Sequence, residues 1–381
     1  MKILHVITGL GVGGAELQLR SVLQHSRHQC DVVTLYNPGA VAGMISGDGV
    51  RVRDLGMTRN TELSALGRLT RLIRAGGYDV VHTHLYRSCI YGRLAARLAG
   101  TPVVVTTEHS IGETHLERRR MTAGVRALYL GTDLCADATI AVSAAVAQRL
   151  TKWGVPSRKI EIIPNGLDFT RVAFDATARD RIRGEFGLPL DAYVIGVLGR
   201  LDPIKRFDLV IRAAAPLLGD RHRLLIVGDG QIRPDLEAEA ARQGVADLVT
   251  FAGERHDVAA MLSALDLFIA SSEQETFGLS VLEALVNGIP ALYTTCPAMA
   301  GIDTQRARQV PGDVEGLRRE ITAELISGPR PREGVPAVRE HYGIEAVTRQ
   351  IDDLYDRLMT RKQPRRRPVS RVLPNLVGGN R

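Results

Sequence analysis

Glu275 and Glu283 fall in the segment Ser271-Ser-Glu-Gln-Glu-Thr-Phe-Gly-Leu-Ser-Val-Leu-Glu283. Leu279, Leu282 and Val286 follow the three-four spacing of a helix packed on a core. A carboxylate beside such a face costs free energy unless something pairs with it or binds it. Eight helical residues would turn the two glutamates onto different faces. Glu275 is therefore expected before the helix, at a strand end, with Phe277, Gly278 and Leu279 as the turn into it. Backbone N–H groups at a helix start suit a phosphate, and carboxylates suit hydroxyls. A sugar nucleotide carries both.

Two cations stand in the same half of the chain, in Gly199-Arg-Leu-Asp-Pro-Ile-Lys205. At a strand end, Arg200 and Lys205 can clamp a diphosphate through charge-assisted hydrogen bonds of about 1.5–3 kcal/mol each. The pattern Gly-x-x-x-x-Gly-Lys-Ser/Thr is absent from the sequence, which excludes a P-loop nucleotidase. Val227-Gly-Asp-Gly230 ends another strand and brings Gly228 near a nucleotide or serves as a plain turn. Arg255, in Gly253-Glu-Arg-His256, ends the next strand and is a candidate to face the base.

The first loop, Thr8-Gly-Leu-Gly-Val-Gly-Gly-Ala-Glu16, contains Gly9-x-Gly11-x-x-Gly14. A dinucleotide fingerprint also requires an acid at the end of the second strand to hold the ribose. That strand ends Thr34-Leu-Tyr-Asn37, without a carboxylate, so an NAD-linked oxidoreductase is the disfavoured alternative. Gly13 and Gly14 remain candidates for close backbone approach to a ligand. His109, in Thr106-Thr-Glu-His-Ser110, ends a strand at the edge where doubly wound sheets bind ligands. His82 and His84 share one face of a strand. The sequence suggests no third ligand beside them and has no Asp-x-Asp, so no metal site is assigned.

These residues need a scaffold of strand ends. Apolar runs at 3–8, 30–36, 80–84, 103–107 and 139–143, then at 193–198, 223–227, 249–252, 267–270 and 291–294, mostly lack polar alternation. That pattern fits strands covered on both faces. Helical patterns lie between them, among them 62–75, 94–99, 208–218 and 258–264. Repeated strand–helix units predict an α/β protein with two doubly wound, Rossmann-like domains. Pro164-Asn-Gly-Leu-Asp168 is strong turn chemistry at the junction. The expected division is 1–168, 169–337, a last helix over about 338–360, and a basic tail over 361–381.

Aromatic residues make up 4% of the chain, which argues against a stacking platform for bases. No apolar stretch is long enough to read as a transmembrane helix, and the first residues lack the pattern of a signal peptide. Cys30, Cys89, Cys135 and Cys296 are scattered, as in reduced cytoplasmic proteins. The net charge of +7 resides in the tail, whose seven Lys/Arg face no acid. The tail reads as disordered, either merely solvated or in contact with anionic lipid at the inner membrane face. No recognition motif for nucleic acid accompanies it.

Taken together, Gly13-Gly-Ala-Glu16, Glu108-His109, Pro164-Asn-Gly-Leu-Asp168, Gly199-Arg200 with Lys205, Val227-Gly-Asp-Gly230 and Glu275-x7-Glu283 closely resemble the retaining glycosyltransferases of family four. The resemblance covers nearly the whole chain and implies the GT-B fold. In that fold two Rossmann-like domains face each other and the last helix crosses back to the first. It implies a nucleoside diphosphate sugar, UDP- or GDP-linked, as donor, with no cofactor and no metal. Arg200 and Lys205 would bind the diphosphate and Glu283 the ribose. Glu275 would bind the donor sugar, with Phe277, Gly278 and Leu279 beside it and His109 nearby. The hydroxyl acceptor is expected to be a lipid-linked glycan or polysaccharide precursor. A soluble molecule such as an aminoglycoside-type precursor is the alternative. After Gly288-Ile-Pro290 the sequence departs from the family's glycine-rich turn and reads Tyr293-Thr-Thr-Cys-Pro-Ala-Met-Ala-Gly301.

Overall fold

The computed structural model describes residues 1–59, 61–109, 111, 115–116, 119–120 and 122–362. The basic tail beyond Lys362 lies outside the described residues, as does Arg118 of the basic run Arg118-Arg-Arg120. The first sheet is built from β1 (Lys2–Ile7), β2 (Gln29–Thr34), β3 (Arg51–Asp54), β4 (Val80–His84) and β5 (Val103–Glu108). After a short antiparallel pair, β6 (His115–Leu116) and β7 (Arg119–Arg120), it is completed by β8 (Ala138–Ala141) and β9 (Ile160–Ile162). Its order is β3-β2-β1-β4-β5-β8-β9, and its ladders are parallel.

The second sheet contains β10 (Tyr193–Leu198), β11 (His222–Val227), β12 (Val249–Gly253), β13 (Leu267–Ala270), β14 (Ala291–Tyr293) and β15 (Ala307–Gln309), in the order β12-β11-β10-β13-β14-β15. It too is parallel. The central strands β4 and β5 are buried along their whole length. Helices cover both faces of such sheets, and this is why the sequence runs are apolar without alternation. Both sheets have the strand order of a doubly wound fold, with the order reversing beside the first strand of each.

The chain crosses between the domains twice, side by side. On the outward crossing, Leu167 pairs with Gly343 of the return. Leu167 N–H donates to the Tyr342 carbonyl (2.7 Å) and Ile344 N–H to the Leu167 carbonyl (3.1 Å). This clasp breaks the single helix expected over about 338–360 into Pro336–Tyr342 and Ile344–Lys362, because Gly343 is extended to make the pairing. Gly166 is needed there: a Cβ would lie 2.9 Å from the Ile344 Cα.

The helix Ile344–Lys362 then packs on the first sheet. Val347, Ile351, Leu354 and Tyr355 bury themselves against Ile3, Val80, Val103 and Ile140. Asp352 accepts hydrogen bonds from Ser26 Oγ (2.9 Å) and Arg27 N (3.0 Å). Among the described residues no helix is long and apolar enough to cross a membrane.

Candidate active site

The site begins where β13 ends. Ser271 Oγ lies 2.7 Å from the Lys205 carbonyl, and Glu273 N–H donates to the Ile204 carbonyl (2.9 Å). These bonds fasten loop 200–206 to the segment carrying Glu275. Lys205 Nζ donates to Glu275 Oε2 at 2.8 Å, and Glu275 Oε1 accepts from Thr276 N (3.1 Å). Arg200 points more outward, its side chain 56% exposed and 3.7 Å from Asp202.

The loops after β10 and β11 form one platform. Gly199 N–H donates to the Val227 carbonyl (3.0 Å) and Leu201 N–H to the Asp229 carbonyl (2.9 Å). Gly228 has φ +133°, and a Cβ there would meet the Gly199 carbonyl oxygen at 2.0 Å. Only glycine fits that close approach. Arg255 is held differently: its guanidinium binds Glu185 (2.6 Å) and Asp257 (2.8 Å) and covers the Phe186 ring.

Glu275 lies in the turn before the helix Leu279–Asn287, and Glu283 lies within that helix. Gly278 caps the helix start at φ +100°, where a Cβ would strike Cys296 Sγ at 2.4 Å. Loop 293–301, where the sequence departs from the family pattern, supports this turn. Ala298 N–H donates to the Phe277 carbonyl (2.9 Å), and Tyr342 OH donates to the Ala298 carbonyl (2.6 Å). Phe277 is buried edge-on against Tyr342.

The surface of Glu283 is only partly covered. Desolvation of its carboxyl nonetheless pushes the pKa up to about 7. No hydrogen bond or ion pair to that carboxyl occurs among the described residues. The arrangement suits a group waiting for hydroxyl donors.

The first domain meets this turn directly. Ser143 Oγ donates to the Thr276 carbonyl at 2.7 Å. Gly13 caps the helix Gly14–His25, and a Cβ on Gly14 would contact Leu279 Cδ1 at 3.5 Å. Two helix starts, at Gly14 and Leu279, thus lie next to each other across the domain boundary. A helix start is the end that suits an anion, and at the first of these the Glu16 carboxylate already lies against Gly13.

Glu108 pairs with Ala141, so the strand ends leading to His109 and Ser143 are neighbours. His109 Nε2 lies 3.3 Å from His84 Nδ1, while its Nδ1 is buried and has no hydrogen-bond partner among the described residues. Burial holds the His109 ring down to a pKa of about 4, so it is neutral.

The sequence suggested no third ligand beside His82 and His84. The sheet supplies a third imidazole, because β1 pairs His5 with His82. Nitrogens of the three rings lie within 4.8 Å of one another. A histidine inside the apolar run Ile3-Leu-His-Val-Ile7 was the available signal. These nitrogens already have partners: His5 Nδ1 with His84 Nε2 (3.0 Å), and His82 with Tyr355 OH (2.5 Å) and Thr107 Oγ1 (2.7 Å).

The sequence model of Glycosyltransferase Family 4 matches residues 12–171, and that of Glycosyl transferases group 1 matches residues 192–325. A D-inositol 3-phosphate glycosyltransferase of Streptosporangium roseum is 30% identical over 324 residues, covering 77% of this chain and 72% of that protein.

The chain is a family 4, group 1 glycosyltransferase.

The glycosyltransferase is also 30% identical, over 61% of its length and 62% of the relative's, to the UDP-Gal:alpha-D-GlcNAc-diphosphoundecaprenol alpha-1,3-galactosyltransferase of Escherichia coli. Among solved structures it superimposes on Anabaena HepE, crystallised with UDP and glucose, with a TM-score of 0.83. The match has 20% identity and covers 94% of this glycosyltransferase and 100% of that chain. The GT-B architecture expected from the sequence is the architecture found.

Proposed function

We propose that this glycosyltransferase moves a sugar from a nucleoside diphosphate sugar to a hydroxyl acceptor, with retention at the anomeric carbon and without a metal. The observation that carries the reading is the Lys205–Glu275 pair at the Gly278–Leu279 helix start, one helix segment from the unpartnered Glu283. Residues 169–337 hold the donor, and residues 1–168 shape the acceptor side. Glu283 accepts from the ribose hydroxyls and Glu275 from hydroxyls of the donor sugar. Arg200 and Lys205 bind the diphosphate. Gly228 and the Phe277–Leu279 backbone line the nucleotide and sugar, Gly13 and Gly14 face the phosphates, and Arg255 borders the base. His109 lies against the donor sugar. UDP is the favoured nucleotide, supported by the UDP bound to HepE and the UDP-galactose named for the Escherichia coli relative.

The chemistry follows from charge. Breaking the anomeric C–O bond leaves negative charge on the departing diphosphate and positive charge on the sugar. Lys205, Arg200 and the two helix starts stabilise the first, fixed in place before reaction. The acceptor oxygen attacks from the face the diphosphate leaves, its proton passing to the departing phosphate oxygen. No covalent sugar–protein intermediate is invoked.

A lipid-linked glycan or polysaccharide precursor is the favoured acceptor, handled from the cytoplasmic membrane face with the basic tail against anionic lipid. The diphosphoundecaprenol acceptor of the Escherichia coli relative supports it. A soluble acceptor is the second reading, favoured by the inositol phosphate named for the Streptosporangium roseum relative. The test is a thermal-shift panel of sugar nucleotides, followed by NMR of the product's anomeric centre, with and without EDTA. Stabilisation by NAD and by no sugar nucleotide would defeat the donor assignment. An inverted product or strong EDTA inhibition would overturn retention or metal independence, respectively.

A further inference from the structure

Behind His109 lies a file of imidazoles for which the proposed reaction has no use. His109 Nε2 meets His84 Nδ1 at 3.3 Å, and His84 Nε2 meets His5 Nδ1 at 3.0 Å. His84 and His5 are almost wholly buried. The stacked contacts His84–His109 (5.6 Å between centroids) and His5–His84 (5.3 Å) keep the rings in register. His82 lies against both inner rings, its own nitrogens bound to Tyr355 and Thr107, so it acts as a wall and not a link.

A neutral imidazole has one N–H and one bare nitrogen. The links of this file therefore cannot be set independently. If His84 donates to His5, its Nδ1 is bare and must accept from His109 Nε2–H, which leaves His109 Nδ1 bare. If His84 donates outward to His109, every ring reverses and His109 Nδ1 carries hydrogen. Only the first state presents a lone pair at His109 Nδ1, which is buried and has no partner among the described residues. It also aligns the three ring dipoles with their negative ends outward.

We infer that His84, backed by His5, is a positioning residue that ties His109 to a single tautomer, and that the working one is Nε2–H, whose bare Nδ1 would accept from the donor sugar in the complex. This rests on the proposed place of His109 beside that sugar. A lone pair there accepts from a sugar hydroxyl and becomes more favourable as the ring gains positive charge in the transition state. The reversed tautomer would present an N–H dipole to a developing cation. A metal bound by His5, His82 and His84 is the competing use of the same rings. It would have to break the His5–His84 bond and at least one hydroxyl bond of His82.

The experiment is nitrogen NMR on the full chain with 15N-histidine, assigned by single substitutions. The expected result in wild type is a protonated Nε2 and a bare Nδ1 at His109, with and without UDP. In His84→Phe the His109 nitrogens should average between tautomers. Turnover of the best sugar nucleotide should then fall about 10–100-fold, the scale found when a metal-bound histidine loses its outer partner. The donor KM should change little. His84→Asn, whose amide oxygen replaces Nδ1 as acceptor, should restore the tautomer and most of the turnover. A protonated or averaged Nδ1 in wild type overturns the inference, a reading that does not depend on any variant folding. Unchanged turnover in a folded His84→Phe also overturns it. So does stoichiometric Zn²⁺ uptake that shifts the His5, His82 and His84 signals together. The nitrogen assignments are read without sugar transfer. A fixed His109 tautomer in a chain that turns over no sugar nucleotide would sink the proposed function and leave the file standing.

Discussion

Lys205 Nζ rests 2.8 Å from Glu275 Oε2, joining the loop after β10 to the turn after β13. Both side chains are about one-fifth to one-quarter exposed, so the pair is neither a free surface bridge nor a buried one. Such a bridge adds about 1 kcal/mol or less to stability. Its greater effect is to hold a cation and a carboxylate where a phosphate and a sugar would meet. Lys205→Ala is expected to lower turnover by about 10²–10³-fold and to leave the unfolding midpoint nearly unchanged. Arg200→Ala should lose most turnover as well, through the phosphate and not through the fold. Steady-state kinetics beside thermal melts check both.

Glu283 gives a prediction with a sign. Its carboxyl, pushed up to about 7, keeps its proton in the folded chain over a range where the unfolded chain has lost it. Stability therefore falls as pH rises from about 4.5 to about 7, and the cost stays constant above that. Glu283→Gln should gain on wild type across this window by roughly 1–3 kcal/mol, measured by denaturant titration at several pH values. In the proposed complex, ribose hydroxyls would stabilise the charged carboxylate. UDP-sugar affinity in wild type should thus strengthen from pH 6 to pH 8, and this rise should be absent in Glu283→Gln.

Gly278 and Cys296 are coupled by contact. Gly278→Ala places a methyl on a left-handed residue, costing about 1–2 kcal/mol from backbone strain alone. The clash with Cys296 Sγ adds to it. In a Cys296→Ala background the clash term should vanish and the strain remain. The double variant should therefore be more stable than the sum of the singles by about 0.5–3 kcal/mol. Additive values from urea melts would show that the sulfur does not support the turn.

The basic tail allows a separation of the two acceptor readings. Vesicles containing anionic lipid should bind the full chain and not a chain ending at Lys362, with binding lost as salt is raised. Equal failure of both forms would count against the membrane acceptor.

Much of this was legible in the residues. The ten apolar runs matched strands because central parallel strands are buried on both faces. β3, β9 and β15 escaped notice for the same reason reversed: Arg51–Asp54, Ile160–Ile162 and Ala307–Gln309 are short, partly exposed edges with charged or polar side chains. The place of Glu275 outside its helix followed from angular spacing alone. His5 and the support of Gly278 by Cys296 did not, because each depends on a contact between strands or loops distant in sequence. The break at Gly343 was hidden because its cause, the backbone of Leu167, lies on the other crossing.

That clasp makes the second domain an insertion within the first. The chain starts in the first sheet and returns to it only with Ile344–Lys362. During synthesis the second domain emerges with all its strands while Ile3, Val80 and Val103 still lack their cover. The first sheet is thus made before the second and covered after it. Until the helix Ile344–Lys362 is made, this apolar face is open to misassociation.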